Sequence, residues 1–112
     1  MTRDSQERLA DINEALEKIE DYVGGSLDDP DVADPMVLDA VLFNLMVIGE
    51  AAKSVEEDVK ANVSGVPWSD YAGLRDVITH QYFRMQKQII EDTIRADLPK
   101  LRDAVNDLIA DN

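Results

Sequence analysis

The sequence predicts an all-α fold, an antiparallel four-helix bundle whose last helix is kinked or broken near Pro99. Three observations predict it. Apolar residues recur at alternating spacings of three and four in several segments, which is the repeat of one helix face. No segment alternates apolar and polar residues with period two, the pattern of a half-buried strand. Short runs of glycine, proline, serine and aspartate separate the periodic segments, and these residues end helices and build turns. At 112 residues the chain is long enough for one domain with a real core and too short for two. A single helical domain over residues 1–112 is therefore expected.

Leu9, Ile12, Leu16, Ile19 and Val23 line one face of the first helix. Asp4-Ser5-Gln6-Glu7 has the form of a capping box at its start, and Gly24-Gly25 closes it, since glycine accepts the left-handed conformation of a helix terminus. After a turn-rich loop, Asp34-Pro35 reads as an N-cap followed by proline at the first helical position. The second helix carries Leu38, Val41, Leu45, Ile48, Ala52, Val55 and Val59 as one stripe, with Leu42, Phe43, Met46 and Val47 off it. A helix apolar on two sides needs partners on two sides. Its own bundle supplies one; a second subunit would supply the other, against Phe43, Met46 and Val47.

A break at Ser64-Gly65-Val66-Pro67 leads to a third helix, Trp68 to about Thr79, with Tyr71, Leu74, Val77 and Ile78 as its apolar positions. The fourth runs from about Gln86 to Ile109 through Ile90, Ile94, Leu101, Val105 and Leu108. Pro99 lies inside it, lacking a backbone donor and crowding the Arg95 carbonyl, so the helix should bend or break there. Trp68 and Phe43 are expected in the core, and the methionines should fill gaps. The acidic faces of the first helix should meet solvent.

Eleven basic against 24 acidic residues give a net charge of −13, which argues against generic binding to nucleic-acid backbone. The charge is uneven: residues 1–50 are strongly acidic, whereas residues 71–102 carry a small net positive charge. That one segment could hold a polyanion. The absence of cysteine removes disulfides, thiolate metal sites and a cysteine nucleophile. The longest apolar run, Ala40 to Gly49, is about half of what spans a bilayer, and the polar N-terminus has no signal core. A cytoplasmic protein without a membrane partner is the expectation.

The chain has one histidine, His80. Arg75 lies five residues before it and Tyr82 two after. On an ideal helix, five residues place Arg75 and His80 roughly 140° apart, so the two converge only if the helix stops near Thr79. An arginine, an imidazole and a phenol together can hold and cleave a phosphodiester. Arginine presents planar donors to phosphate oxygens, histidine moves protons near neutral pH, and tyrosine stacks or donates a hydrogen bond.

The pattern Arg75…His80-Gln81-Tyr82, R-x4-H-x-Y, resembles the signature of the HEPN superfamily and, more narrowly, of the HepT-like toxins. Asn44-Leu-Met-Val-Ile-Gly-Glu-Ala-Ala-Lys53, Val66-Pro67-Trp68, Asp92-Thr93-Ile94 and Asp97-Leu98-Pro99-Lys100-Leu101 are similar to further blocks of that family, in the same order, from about Leu9 to Leu108. The resemblance implies a metal-independent RNase without cofactor, the toxin of a toxin–antitoxin pair. It implies a homodimer whose cleft forms where two motifs meet, and a partner antitoxin, a minimal nucleotidyltransferase of the MntA type, that adds AMP to the motif tyrosine. By position Arg75 and His80 would be catalytic and Tyr82 the modified residue. Two positions depart from the family pattern. Asp76 stands where asparagine is frequent and reads as orienting Arg75 or His80. Met85-Gln86 replaces an aliphatic residue and aspartate, which removes a good N-cap for the last helix.

Transesterification by a 2′-hydroxyl needs a base and an acid, and one chain has one imidazole. A two-fold dimer supplies a second. Alternatively one His80 performs both steps, or Asp76 or Glu50 takes one. Glu50 follows Val47 and Met46 on the off-stripe face; a buried carboxylate needs a partner, and Arg75 is the natural one, with Lys53 the other choice. Glu50 then either holds Arg75 in place or transfers a proton itself. No metal site is expected, with one imidazole and no Glu-x-x-His pair. Two other functions fit the sequence: a non-catalytic helical dimerisation module that binds a nucleotidyltransferase partner, and a nucleotide-binding accessory domain.

Overall fold

The computed structural model describes residues 1–110. Among these the chain is helical and without strands: α1 (Arg3–Tyr22), α2 (Pro35–Ser54), α3 (Glu57–Lys60), α4 (Trp68–Ala72), α5 (Leu74–Gln81), α6 (Lys87–Ala96) and α7 (Leu98–Ala110), with a 3-10 turn, Tyr82–Arg84, after α5. The expected all-α bundle is present. Its axis is α2, which packs on α1 along one side and on α4 and α5 along another, while α7 closes the bundle against α1 and α6. Leu9, Ile12, Leu16 and Ile19 of α1 interlock with Val41, Leu45 and Ile48 of α2 and with Ile94, Leu98, Leu101, Val105 and Leu108 of the last two helices in one contiguous core. The Arg102 guanidinium also donates to the Glu20 carboxylate at 2.8 Å, tying α7 to α1.

The helix ends show where local chemistry prevails. Asp34 caps α2 as expected, its carboxylate accepting from the Met36 N–H at 2.8 Å with proline next in line. Gly24 and Gly25 follow α1 at φ +106° and +94°, and the Gly25 N–H returns to the Glu20 carbonyl at 2.8 Å. The capping box does not form: Asp4 lies inside the first turn of α1 and not at its cap. Thr2 caps α1 instead, accepting from the Ser5 N–H, while Ser5 is buried and its hydroxyl accepts from the Glu56 N–H. That same bond explains why α2 stops at Ser54 and not at Val59. The chain turns out at Val55 and Glu56 to meet Ser5, then makes the short α3, so that Val55 and Val59 still reach the core.

The third expected helix is split at Gly73 into α4 and α5 and continues to Gln81. The last is broken into α6 and α7 at Asp97, two residues ahead of Pro99, which sits in the first turn of α7 where a missing N–H costs no bond. The Asp97 carbonyl accepts from the Leu101 N–H at 3.1 Å and from the Tyr71 hydroxyl at 3.1 Å, so α4 clasps the break. Burial pushes the Tyr71 hydroxyl up to about 12, with the nearby Asp97 and Asp70 charges adding to the effect.

Two core expectations divide. Trp68 is buried, but Phe43 is 63% exposed, because the core side of α2 is taken by Val41, Leu42, Leu45 and Ile48. Met46 and Met85 do pack partly on the core, while Met36 lies in solvent. The 20 residues of α2 are long and apolar enough, by length and composition, to cross a membrane, although the uninterrupted apolar run is short. In this fold α2 is the packed centre of the bundle.

Candidate active site

α5 lies antiparallel to α2, and two polar contacts fix the register. Near the start of α5, Arg75 Nη1 donates to Glu50 Oε1 at 3.2 Å. Just past its end, Tyr82 Oη donates to Asp39 Oδ1 at 2.6 Å. Asp39 and Glu50 are three helical turns apart, so they stand about 16 Å from each other along α2 and within about 20° of the same direction around it. Phe43, Met46 and Val47 occupy the surface between them, none of them fully buried. This is an apolar strip with a carboxylate at each end.

Gly49 lets the motif helix come this close. A Cβ on Gly49 would stand 2.9 Å from the Tyr71 carbonyl and 3.2 Å from the Arg75 nitrogen, both backbone atoms. The residue after this close approach is Glu50, which places its carboxylate beside the Arg75 side chain. Glu50 is not the buried carboxylate the sequence suggests: the two side chains are 54% and 55% exposed. Its partner is Arg75 and not Lys53. Arg75, Glu50, Phe43, Met46 and Val47 line a cleft of about 370 Å³ together with Arg8 and Asp11 of α1, which pair at 3.3 Å.

His80 is exposed in the last turn of α5, and its imidazole makes no hydrogen bond among the described residues. Because α5 runs through Gln81, the helix does not stop near Thr79, and the turn that would bring His80 round to Arg75 is absent. The two side chains leave the helix roughly 140° apart, so one chain alone does not unite them. Asp76 is exposed and bonds to neither Arg75 nor His80 among the described residues. Tyr82 begins the 3-10 turn, its ring edge-on to Phe83 with centroids 5.1 Å apart, and Phe83 is 98% exposed. The hydrogen bond to Asp39, followed by that residue's negative charge, raises the Tyr82 phenol above its ordinary value. Among the described residues no group of three or more histidine, aspartate or glutamate side chains is placed to hold a metal ion.

Asp39 is the residue that sequence reasoning missed. Its signal was the eleven-residue spacing to Glu50, which puts both carboxylates on the off-stripe face of one helix.

Comparison with known proteins adds identity to this geometry. The model of a family described as ribonuclease HepT-like matches residues 12–108. A Thermococcus cleftensis protein named "Probable ribonuclease HepT" is 32% identical over 102 residues, covering 91% of this chain and 93% of that one. A Methanocaldococcus jannaschii protein named as a candidate RNase is 33% identical over 109 residues, covering 97% of this chain and 90% of its own length. A second protein of that organism, named for a gamma-glutamylcyclotransferase together with a candidate RNase, is 28% identical over 105 residues, and this chain spans only 47% of it. No solved structure matches. With the family model spanning most of its helices, this chain belongs to the ribonuclease HepT-like family, and ribonuclease is the activity that its relatives' names share.

Proposed function

We propose that this protein is a metal-independent endoribonuclease, the cytoplasmic toxin of a toxin–antitoxin pair. It acts as a homodimer and is neutralised when an MntA-type nucleotidyltransferase adds AMP to Tyr82. The observation that carries this reading is the placement of Arg75 and His80, both exposed, on one helix beside a partly exposed apolar strip of α2. A strip holding Phe43 at the surface is the kind of patch that a second subunit covers.

The chemistry follows from what each side chain can do. In the cleft between two protomers one His80 accepts the proton of an RNA 2′-hydroxyl as its oxygen attacks the adjacent phosphorus. The partner's His80, protonated, gives a proton to the departing 5′-oxygen. The phosphorus–5′-oxygen bond breaks and a 2′,3′-cyclic phosphate remains. Arg75 offers its fork of donors to the non-bridging oxygens, whose charge grows in the transition state. Glu50, already bonded to one arm of that fork, fixes its direction. AMP on Tyr82 adds negative charge and bulk beside the path of the RNA backbone, and so excludes it.

The second reading, a non-catalytic dimerisation module that binds a nucleotidyltransferase, is favoured by the divergence of Arg75 and His80 within one chain. Incubation of an RNA with the protein in EDTA separates the two. The RNase reading expects cyclic-phosphate ends with wild type and a loss of ~10²–10⁴ in rate for His80→Ala. No cleavage by wild type, or equal cleavage by both, favours the module.

A further inference from the structure

We propose that Asp39 is the proton acceptor for adenylylation of Tyr82, a catalytic residue that the target itself supplies to the reaction. This rests on the reading of Tyr82 as the modified residue and adds a second chemical group to it. The Tyr82 hydroxyl donates to Asp39 Oδ1 at 2.6 Å, the length of a hydrogen bond to an ionised oxygen. The Asp39 carboxylate has no other hydrogen bond or ion pair among the described residues, so it serves the phenol alone. Both groups line a small cleft of about 150 Å³ whose other walls are Leu38, Leu42, Met85 and Ile90. No other titratable side chain lines it. Arg84, two residues on in the same 3-10 turn, lies outside that lining and its side chain has no hydrogen bond or ion pair among the described residues, and Lys87 at the start of α6 is held by the Ala33 carbonyl at 3.0 Å.

A phenol is a poor nucleophile while it keeps its proton, and a bond to a carboxylate makes the free phenolate scarcer still at neutral pH. A base already in place removes that obstacle, because the proton becomes far more acidic as the new bond forms. In the step proposed, the Tyr82 oxygen attacks the α-phosphorus of ATP and the Tyr82 oxygen–phosphorus bond forms. The bond from that phosphorus to the bridging oxygen breaks, pyrophosphate leaves with the electron pair, and the phenolic proton passes to Asp39 Oδ1. Nothing is oxidised or reduced. Asp39 sits on α2, the most firmly packed helix of the bundle, so the base is held by the scaffold and not by the turn that carries its substrate.

The test is the rate of AMP incorporation by an MntA-type nucleotidyltransferase with ATP and Mg²⁺, read by mass spectrometry with the modified residue located by fragmentation. Wild type is compared with Asp39→Asn, which keeps an acceptor oxygen but cannot take the proton, and with Asp39→Glu, which can. Circular dichroism establishes that each variant is folded. Asp39→Asn should be slower by at least about tenfold, and its rate should climb with pH as free phenolate becomes available. Wild type should be flat across the same neutral range, and Asp39→Glu should recover much of the rate. Asp39→Asn modified at the wild-type rate overturns the proposal. So does a slower Asp39→Asn with an unchanged pH profile, which would make Asp39 a holder only, and so does an unfolded Asp39→Asn beside an Asp39→Glu that is folded and unmodified. If wild type is not modified at Tyr82, the reading of Tyr82 fails first and Asp39's role falls with it.

Discussion

Arg75 and Glu50 pair at 3.2 Å between α5 and α2 with more than half of each side chain open to solvent. Such a pair contributes little to stability, about 0–1 kcal/mol, so its consequence is directional. One arm of the guanidinium is fixed, and the rest of the fork is left for the phosphate contact proposed above. Glu50→Gln should therefore leave the melting temperature nearly unchanged and lower the rate of RNA cleavage by about tenfold through lost orientation. Calorimetry and a single-turnover cleavage assay check both halves.

The close approach at Gly49 sets a second expectation. Gly49→Ala would place a methyl group 2.9 Å from the Tyr71 carbonyl. Backbone must then move, because no flexible side chain is in the way. The cost should be about 1–3 kcal/mol, with a further drop in cleavage as Arg75 shifts away from Glu50. A urea titration followed by the fluorescence of Trp68, the one tryptophan and a buried one, measures the first part.

Tyr71 carries a pH dependence. Its hydroxyl titrates at about 12 in the folded chain against 10.0 for an unperturbed phenol, so the folded state holds this proton more tightly than the unfolded one. Tyr71's contribution is present in full below pH 10 and is lost as the pH rises through the folded value. Tyr71→Phe loses the bond to the Asp97 carbonyl, about 1 kcal/mol at pH 8. The gap between wild type and variant should narrow as the pH passes from about 10 to 12. Urea unfolding of both proteins at pH 8 and near pH 11 gives the comparison.

Phe43 tests the proposed subunit contact. Phe43→Glu places a charge on the exposed strip without touching the core, so folding should be affected by no more than about 0.5 kcal/mol. Light scattering should show wild type at twice the monomer mass and the variant at or near the monomer mass. A wild-type monomer at micromolar concentration contradicts the proposed dimer.

Much of this fold could be read from spacing. The stripe from Leu9 to Val23, the Asp34-Pro35 start of α2 and the paired glycines after α1 each depend on neighbours a few residues away, and local chemistry decides them. What spacing did not reveal depends on partners far along the chain. Asp4 looked like a cap but lies inside the first turn, and its neighbour Ser5 is the acceptor that turns the chain at Glu56, about fifty residues on. Phe43 looked like core because it is aromatic, but the core side of α2 was already filled by Val41, Leu42 and Leu45. At the site, the pairing of Glu50 with Arg75 followed from charge and position, whereas the full length of α5 and the bond from Tyr82 to Asp39 needed the α5–α2 register. No periodicity encodes that register; Gly49 permits it by allowing two backbones to touch, and the bonds of Glu50 and Asp39 fix it.

The central claim is a cleft that needs two His80 side chains, and mixed dimers test it most directly. Wild type and His80→Ala are unfolded together, refolded at varying ratios and assayed for RNA cleavage in EDTA. If each cleft needs both imidazoles, activity falls as the square of the wild-type fraction, to about one quarter at an equal mixture, since only about a quarter of randomly formed dimers then hold two histidines. A linear fall, to about one half at that mixture, would mean that one His80 suffices for each cleft and would contradict the two-histidine cleft.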